Sequence, residues 1–222
     1  DFMQRTGREL TGETAKTDYA AQGQAILMQT YRQFVHPSYS VRQVLVEHHH
    51  FNDEKKSEHL KGLLLRCREQ NAVPIVNYND AVSSEENRRM EILALSHGNR
   101  RVFECVDNDE TASRIACLVH ARSLVIFTSV NGIYLDPDDP STLVGVISGK
   151  DAYELTENIE RHKAFCVGAS RAGANGARAK LEYVKDAAAQ GTTVYIANAG
   201  YTIAAVLSGE APCTKIGIGL RS

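Results

Sequence analysis

The chain lacks any apolar stretch approaching the ~20 residues needed to cross a bilayer. Its first residues also lack the basic, apolar and small-residue succession of a secretory leader. No membrane role is expected. Charge of one sign is missing too: Lys+Arg 25 against Asp+Glu 27 leaves a formal net charge of −2. A nucleic acid or an anionic lipid surface is therefore not expected as the main partner. The five cysteines, at 67, 105, 117, 166 and 213, contain no C-x-x-C pair, so zinc-site and thioredoxin-like readings have nothing to rest on. An odd count of free thiols suits a reducing compartment, and a cytoplasmic location is expected. Cys67 and Cys117 fall on apolar helix faces and read as small core residues. There is no G-x-S-x-G serine elbow, no internal repeat and no low-complexity tract.

What is present is an ordinary globular composition. Of 222 residues, 43% are hydrophobic and 23% charged, enough chain to bury a substantial core in one large or two small domains. Helical and buried-strand patterns alternate. Ala21, Ala25, Met28, Tyr31 and Val35 recur at helical spacing over 17–35. The β-branched run 41–46 reads as a strand, and Leu60, Leu63, Leu64 and Cys67 make a helical stripe within 53–70. A strand is expected at 73–76, a helix at 109–120 and a strand at 123–128. Further on come a helix at about 176–190, a strand at 193–197, a short helix near 204–207 and a last strand around 216–218. Apolar strands separated by helices imply a mostly parallel sheet covered on both faces, with ligands at the carboxyl ends of the strands. Residues 1–16 read as the end of one element and a polar loop, which points to further sequence upstream.

Three segments sit where such a sheet would place chemistry. Asn77-Tyr78-Asn79-Asp80 follows a strand, although Asn and Asp are also turn formers there. Asp107-Asn108-Asp109-Glu110 heads a helix, either as an N-cap with an acidic first turn or as a cluster that grips an ammonium group. Gly168–Lys180 (GASRAGANGARAK) offers glycines and a helix start near Gly176, whose free amides suit phosphate, with Lys180 one turn in. Its spacing is not that of a P-loop, and a linker ahead of a solvated lysine is the competing reading. Asp136-Pro137-Asp138-Asp139-Pro140 lacks the glycine and spacing of a calcium loop. His48-His49-His50 cannot all face one metal and reads as a solvated loop.

Taken in order, these segments resemble the amino-acid kinase family and, within it, the glutamate 5-kinases. Asp18-Tyr19-Ala20-Ala21-Gln22-Gly23-Gln24 with Leu27-Met28 is similar to A-A-x-G-Q-x-x-L-M, and Val41–Glu47 to a strand carrying Q-V-L. Pro74–Val82 is similar to P-I-x-N-x-N-D-x-V, and Asp107-Asn108-Asp109 to D-N-D. Gly132-Ile133-Tyr134 with Asp136-Pro137 resembles G-L-Y-x-x-D-P. Gly173–Leu181 resembles G-T-G-G-M-x-T-K-L, and Ile196-Ala197-Asn198 resembles I-A-N.

The resemblance implies a three-layer α/β/α sandwich with a mostly parallel central sheet, its N-terminal strands lacking. It implies one kinase domain over 1–222, with the substrate side at about 1–125 and the nucleotide side at about 126–222. No C-terminal RNA-binding-like domain is expected. The activity implied is ATP-dependent phosphorylation of the glutamate γ-carboxylate, entering proline biosynthesis, with Mg2+ as cofactor. Asp80 and Asn108 match substrate-binding positions, with Asn77, Asp107 and Asp109 beside them. Thr128 and Ser129 match a nucleotide-contacting pair, and Ala174, Asn175, Gly176, Ala177, Arg178, Ala179 and Lys180 the nucleotide loop, Lys180 being the transfer lysine. A homodimer or tetramer and proline feedback inhibition are implied as well. Ser129 stands where the family has Asp, Ala174 where it has Thr and Asn175 where it has Gly. The stretch 83–106 is longer than usual, and the family's opening Lys and Gly-Ser loop and its S-S-G segment have no match. A kinase for another carboxylate or phosphate acceptor and a catalytically silent binding or regulatory homologue are the competing readings.

Overall fold

A computed structural model describes residues 2–12, 14–83, 85–96, 102–105, 107–166 and 176–221. The chain divides into two compact units, Asp1–Cys105 and Val106–Ser222.

In the first unit, α1 (Phe2–Thr6) and α2 (Ala15–Phe34) precede β1 (Ser40–Val46), α3 (His49–Asn52), α4 (Glu54–Glu69), β2 (Ala72–Tyr78) and α5 (Glu85–Ser96). β1 and β2 pair in parallel, from Ser40 opposite Ala72 to Val46 opposite Tyr78. The link is a right-sized crossover: Asp53 caps α4 by accepting from Lys56 N at 2.9 Å, and Leu60, Leu64 and Cys67 bury the α4 stripe. Helix α2 forms where its spacing predicts, yet none of its residues is buried and Phe34 is 82% exposed.

One element is added to the sequence reading in this unit, and one expectation is corrected. The stretch 83–106 contains a further helix, α5, whose MEILAL run is framed by charges and by no described cap. The histidine run is not a solvated loop. His48 is only 2% exposed, with Nε2 at 3.0 Å from Glu91 Oε2 and Nδ1 at 3.4 Å from the Tyr78 hydroxyl. Burial lowers its pKa, against the opposing pull of Glu91.

The second unit runs α6 (Asn108–Val119), β3 (Ser123–Thr128), β4 (Val146–Gly149), α7 (Ala152–Phe165), α8 (Ala177–Ala189), β5 (Thr193–Asn198), α9 (Ile203–Ser208) and β6 (Cys213–Ile218). The sheet order is β3-β5-β6-β4. β3 with β5 and β4 with β6 are parallel, while β5 and β6 are antiparallel. With β1–β2 counted, three of the four pairings are parallel.

The period of two along β5 makes the layers. Val194 and Ile196 enter a core with Ile126, Ile147, Leu155, Ile159, Leu181, Val184 and Ile216. Tyr195 and Ala197 point the other way, against Val206 of α9 and Ala211. Helices thus cover both faces of this sheet, and the fold is an α/β sandwich. Each fully buried Leu or Ile contributes roughly 1.5–3 kcal/mol. The strand expected at 216–218 begins at Cys213 because Thr214, fully buried, belongs to the core: its hydroxyl accepts from Ile133 N and donates to Val144 O, each at 2.7 Å.

β4 and α7 were not anticipated from the sequence. Helix α7 locks onto α8 through an alternating charge quartet. Lys163 meets Glu160 at 2.8 Å and also Glu182, while Lys185 meets Glu160 at 2.9 Å and Glu182 at 3.1 Å. Hydrogen bonds from Lys163, then Lys185, pull Glu160 down to about 2.

Candidate active site

In a βα unit whose helix returns antiparallel to the next parallel strand, the helix head lies at the strand's carboxyl end. Helix α6 leads into β3 and α8 leads into β5, and these strands are neighbours. Topology alone therefore puts the heads of α6 and α8 and the ends of β3 and β5 on one edge of the second unit.

At the head of α6, Asp107 is extended (φ −130°, ψ 145°) and its carboxylate accepts from Asp109 N at 2.8 Å. The capping reading of this segment holds. It also turns Asn108 outward, exposed, and leaves the Asp109 side chain half-buried inside the first turn. At the head of α8, Gly176 occupies the cap position and no side chain closes it. The amides of Ala179 and Lys180 donate to Gly176 O at 3.0 and 3.2 Å, and the positive end of the helix dipole lies there.

The two heads meet directly. Lys180 Nζ pairs with Asp109 Oδ2, each side chain being 19% exposed. Two further contacts fix this register between the helices: Arg114 Nη2 to Asp186 Oδ2 at 2.8 Å, and Ser113 Oγ to Tyr183 O at 2.6 Å. At the strand ends, Ala199 N donates to Thr128 O at 2.9 Å, and Asn198 Nδ2 donates to Ser129 O at 3.1 Å. Asn198 Oδ1 also accepts from Gly200 N at 2.8 Å, so one amide side chain holds both strand-end loops. The I-A-N likeness marked this residue, but no site role had been assigned to it.

Arg178 is exposed, with Ala177 and Ala179 half-buried beside it on the same first turn. Ala174 and Asn175 lie outside the described residues, as does the rest of 167–175.

In the first unit, Asn77 lies within β2, which runs two residues beyond the expected end, and Asn77 Oδ1 accepts from Tyr78 N at 3.0 Å. Asn79 ties the strand end to β1 through its N to Val46 O at 2.9 Å and its Nδ2 to Glu47 Oε1 at 2.8 Å. Asp80 follows at the carboxyl end of β2. The residue as a whole is exposed, yet neighbouring protein removes water from one side of the carboxyl. That desolvation raises its pKa, with Arg88 opposing. Arg88 lies over the Tyr78 ring, 4.9 Å from its centroid. Neither His48 nor Arg88 was singled out from sequence as a site residue. Their grouping depends on α5, whose pattern gave no cap signal.

No three His, Cys, Asp or Glu side chains among the described residues converge as a metal site. Among the described residues no helix is long and apolar enough to cross a membrane.

The pattern of the amino acid kinase family matches residues 4–198. Glutamate 5-kinase of Geobacillus thermodenitrificans is 31% identical over 203 residues, which is 90% of this chain and 49% of that protein. Glutamate 5-kinase of Clostridium perfringens is 31% identical over 186 residues, 82% of this chain and 62% of its own. Glutamate 5-kinase 1 of Bacillus subtilis is 28% identical over 203 residues, 89% of this chain and 50% of its own. The chain thus spans about half to three-fifths of the length of the relatives it matches. With the family pattern running from α1 to the end of β5 and both helix heads meeting at one strand edge, the chain belongs to the amino acid kinase family.

Proposed function

We propose that the protein transfers the terminal phosphoryl group of ATP to the γ-carboxylate of glutamate, giving γ-glutamyl phosphate, the entry to proline synthesis. The observation that carries this reading is the pairing of Lys180 with Asp109 where the heads of α6 and α8 meet. A carboxylate is a weak nucleophile, and phosphoryl transfer depends on positioning and on neutralising charge over the phosphoryl oxygens. Asp109 fixes the direction of the Lys180 ammonium, and the positive dipole end at the head of α8 supplies further positive potential beside it. Mg2+, when bound, would spread phosphate charge. The Asn198 clamp holds the Thr128 and Ser129 loop against the β5 end, where the nucleotide is placed in this reading. As transfer proceeds, a γ-carboxylate oxygen bonds to phosphorus, the bond to the bridging oxygen breaks and ADP leaves.

The first unit is assigned the amino acid, with Asp80 receiving its ammonium group and Asn77 lying nearby. By family likeness, Asn108 and Asp107 at the head of α6 are also assigned a part in substrate binding. The names of the relatives support glutamate as acceptor. A homodimer or tetramer and feedback inhibition by proline belong to the same proposal. Light scattering and proline titration of the activity test them.

Trapping acyl phosphate as hydroxamate, with full-length protein, ATP, Mg2+ and hydroxylamine, tests the reaction. Hydroxamate with glutamate is expected. Hydroxamate only with aspartate or another acid redirects the reading to a different acceptor. None with any carboxylate favours a silent homologue, the reading to which Ser129, Ala174 and Asn175 lend support.

A further inference from the structure

Helix α5 is anchored at two points in the first unit. Glu91 reaches His48, two residues past the end of β1, at 3.0 Å. Arg88, one turn earlier, lies over the ring of Tyr78, the last residue of β2. Val46 and Tyr78 are partners in the strand register, so both anchors sit at the same carboxyl edge of the parallel pair. That edge is where open α/β sheets hold ligands. The guanidinium therefore reaches the strand end from which Asp80 follows.

We propose that Arg88 is a substrate-recognition residue whose guanidinium takes the carboxylate on the α-carbon of an acidic amino acid, beside the ammonium group held at Asp80. The inference rests on the amino-acid acceptor of the proposed function and adds a residue to it.

The chemistry is that of opposite neighbours. An α-carbon carries an ammonium and a carboxylate together, and the matching surface is an acid and a cation side by side. A guanidinium over an aromatic ring keeps its N–H donors at its edge, in the fork geometry that suits a carboxylate. Among the described residues no acceptor takes these donors. Cation–π contact with Tyr78 fixes the plane of the fork, which lowers the entropy lost on binding. Asp80 in turn remains raised by desolvation despite Arg88. Its site is one that a second cation, the substrate ammonium, stabilises. A lysine at 88 would carry the charge without the planar fork. Glu91 and His48 act at one remove, holding the helix that delivers Arg88.

The test is calorimetric binding of L-glutamate and of its α-amide, in which the α-carboxylate is replaced by a neutral carboxamide, to full-length wild type, Arg88→Met and Arg88→Lys. Thermal melting of each variant checks folding. Wild type is expected to bind glutamate more tightly than the α-amide. Arg88→Met is expected to weaken glutamate about 10-fold or more while leaving the α-amide within about twofold, and Arg88→Lys to recover part of the loss. Equal weakening of both ligands, or of neither, overturns the proposal and reduces Arg88 to packing α5 on Tyr78. Should Arg88→Met melt early, Arg88→Lys decides alone: unchanged discrimination against the α-amide overturns it. Wild type that binds neither ligand instead overturns the glutamate reading beneath it, an outcome read before any variant is compared.

Discussion

In the second unit β5 is buried from Val194 to Ala197 and feeds two cores, one on each face of the sheet. Among the described residues of the first unit the sheet has two strands, no residue of α2 is fully buried, and of the largest fully buried side chains only Val46 belongs there. The polar clusters differ in the same sense. The second unit fixes Lys180 with a paired acid, an Arg114–Asp186 bridge and a buried Ser113 behind it. The first unit gathers Asp80, Arg88, Tyr78, His48 and Glu91 at a strand edge with less core beneath them. Transfer chemistry demands placement to within a fraction of an ångström. The deep core stands under Lys180, the proposed transfer lysine.

Core truncation breaks or sharpens that contrast most strongly. Leu155→Ala, at a fully buried position in the second unit, is expected to cost about 3–5 kcal/mol in urea unfolding. Leu60→Ala, in the first unit, is expected to cost about 2–3 kcal/mol, because fewer neighbours surround the cavity. Equal costs would erase the difference in packing.

Next in size is Lys180→Ala, expected to lower kcat about 10²- to 10³-fold with little change in the KM for glutamate. Asp80→Asn is expected to do the reverse, raising the glutamate KM about 10-fold while kcat falls little. Parallel effects on both constants from both variants would mean that the two units do not divide the work. Steady-state hydroxamate rates measure both.

The smallest effect concerns the α7–α8 quartet. The hydrogen bonds from Lys163 and Lys185 hold Glu160 down at about 2, against an ordinary glutamate value of 4.5, so its ion pairs stabilise fully above about 4.5. That contribution fades as pH falls through the folded pKa. Glu160→Gln is expected to lower stability slightly at neutral pH and to leave it nearly unchanged near pH 2, so that the acid limb between pH 4.5 and 2 is flattened. An unaltered acid limb would remove the quartet from the account.

The sequence carried most of the framework. β3 is found at the expected residues, and the strands and helices around Lys180 lie within a few residues of expectation. The apolar runs of β3 and β5 and the stripes of α4 and α6 are long enough to show their period. What was missed is short or weakly patterned. β4 is four residues long and ends at Gly149, where an added Cβ would stand 2.2 Å from Leu155 N. Helix α7 hides a two-residue apolar stripe, Leu155 and Ile159, among charges. Its Asp151-x-x-Glu154 capping pattern was a usable signal, and both residues do cap the helix head. His48 was read as solvated because its burial depends on α5. Of the site, the segments were legible from likeness and from strand-end position, but the partnership of Lys180 with Asp109 is a long-range contact that neither local pattern encodes.

That partnership is most directly tested by a double-mutant cycle on turnover with Lys180→Ala, Asp109→Asn and the pair, in full-length protein. If Asp109 acts by aiming Lys180, the second substitution adds little once the first is made, and the double variant turns over about as slowly as Lys180→Ala alone. Losses that simply multiply would contradict the account.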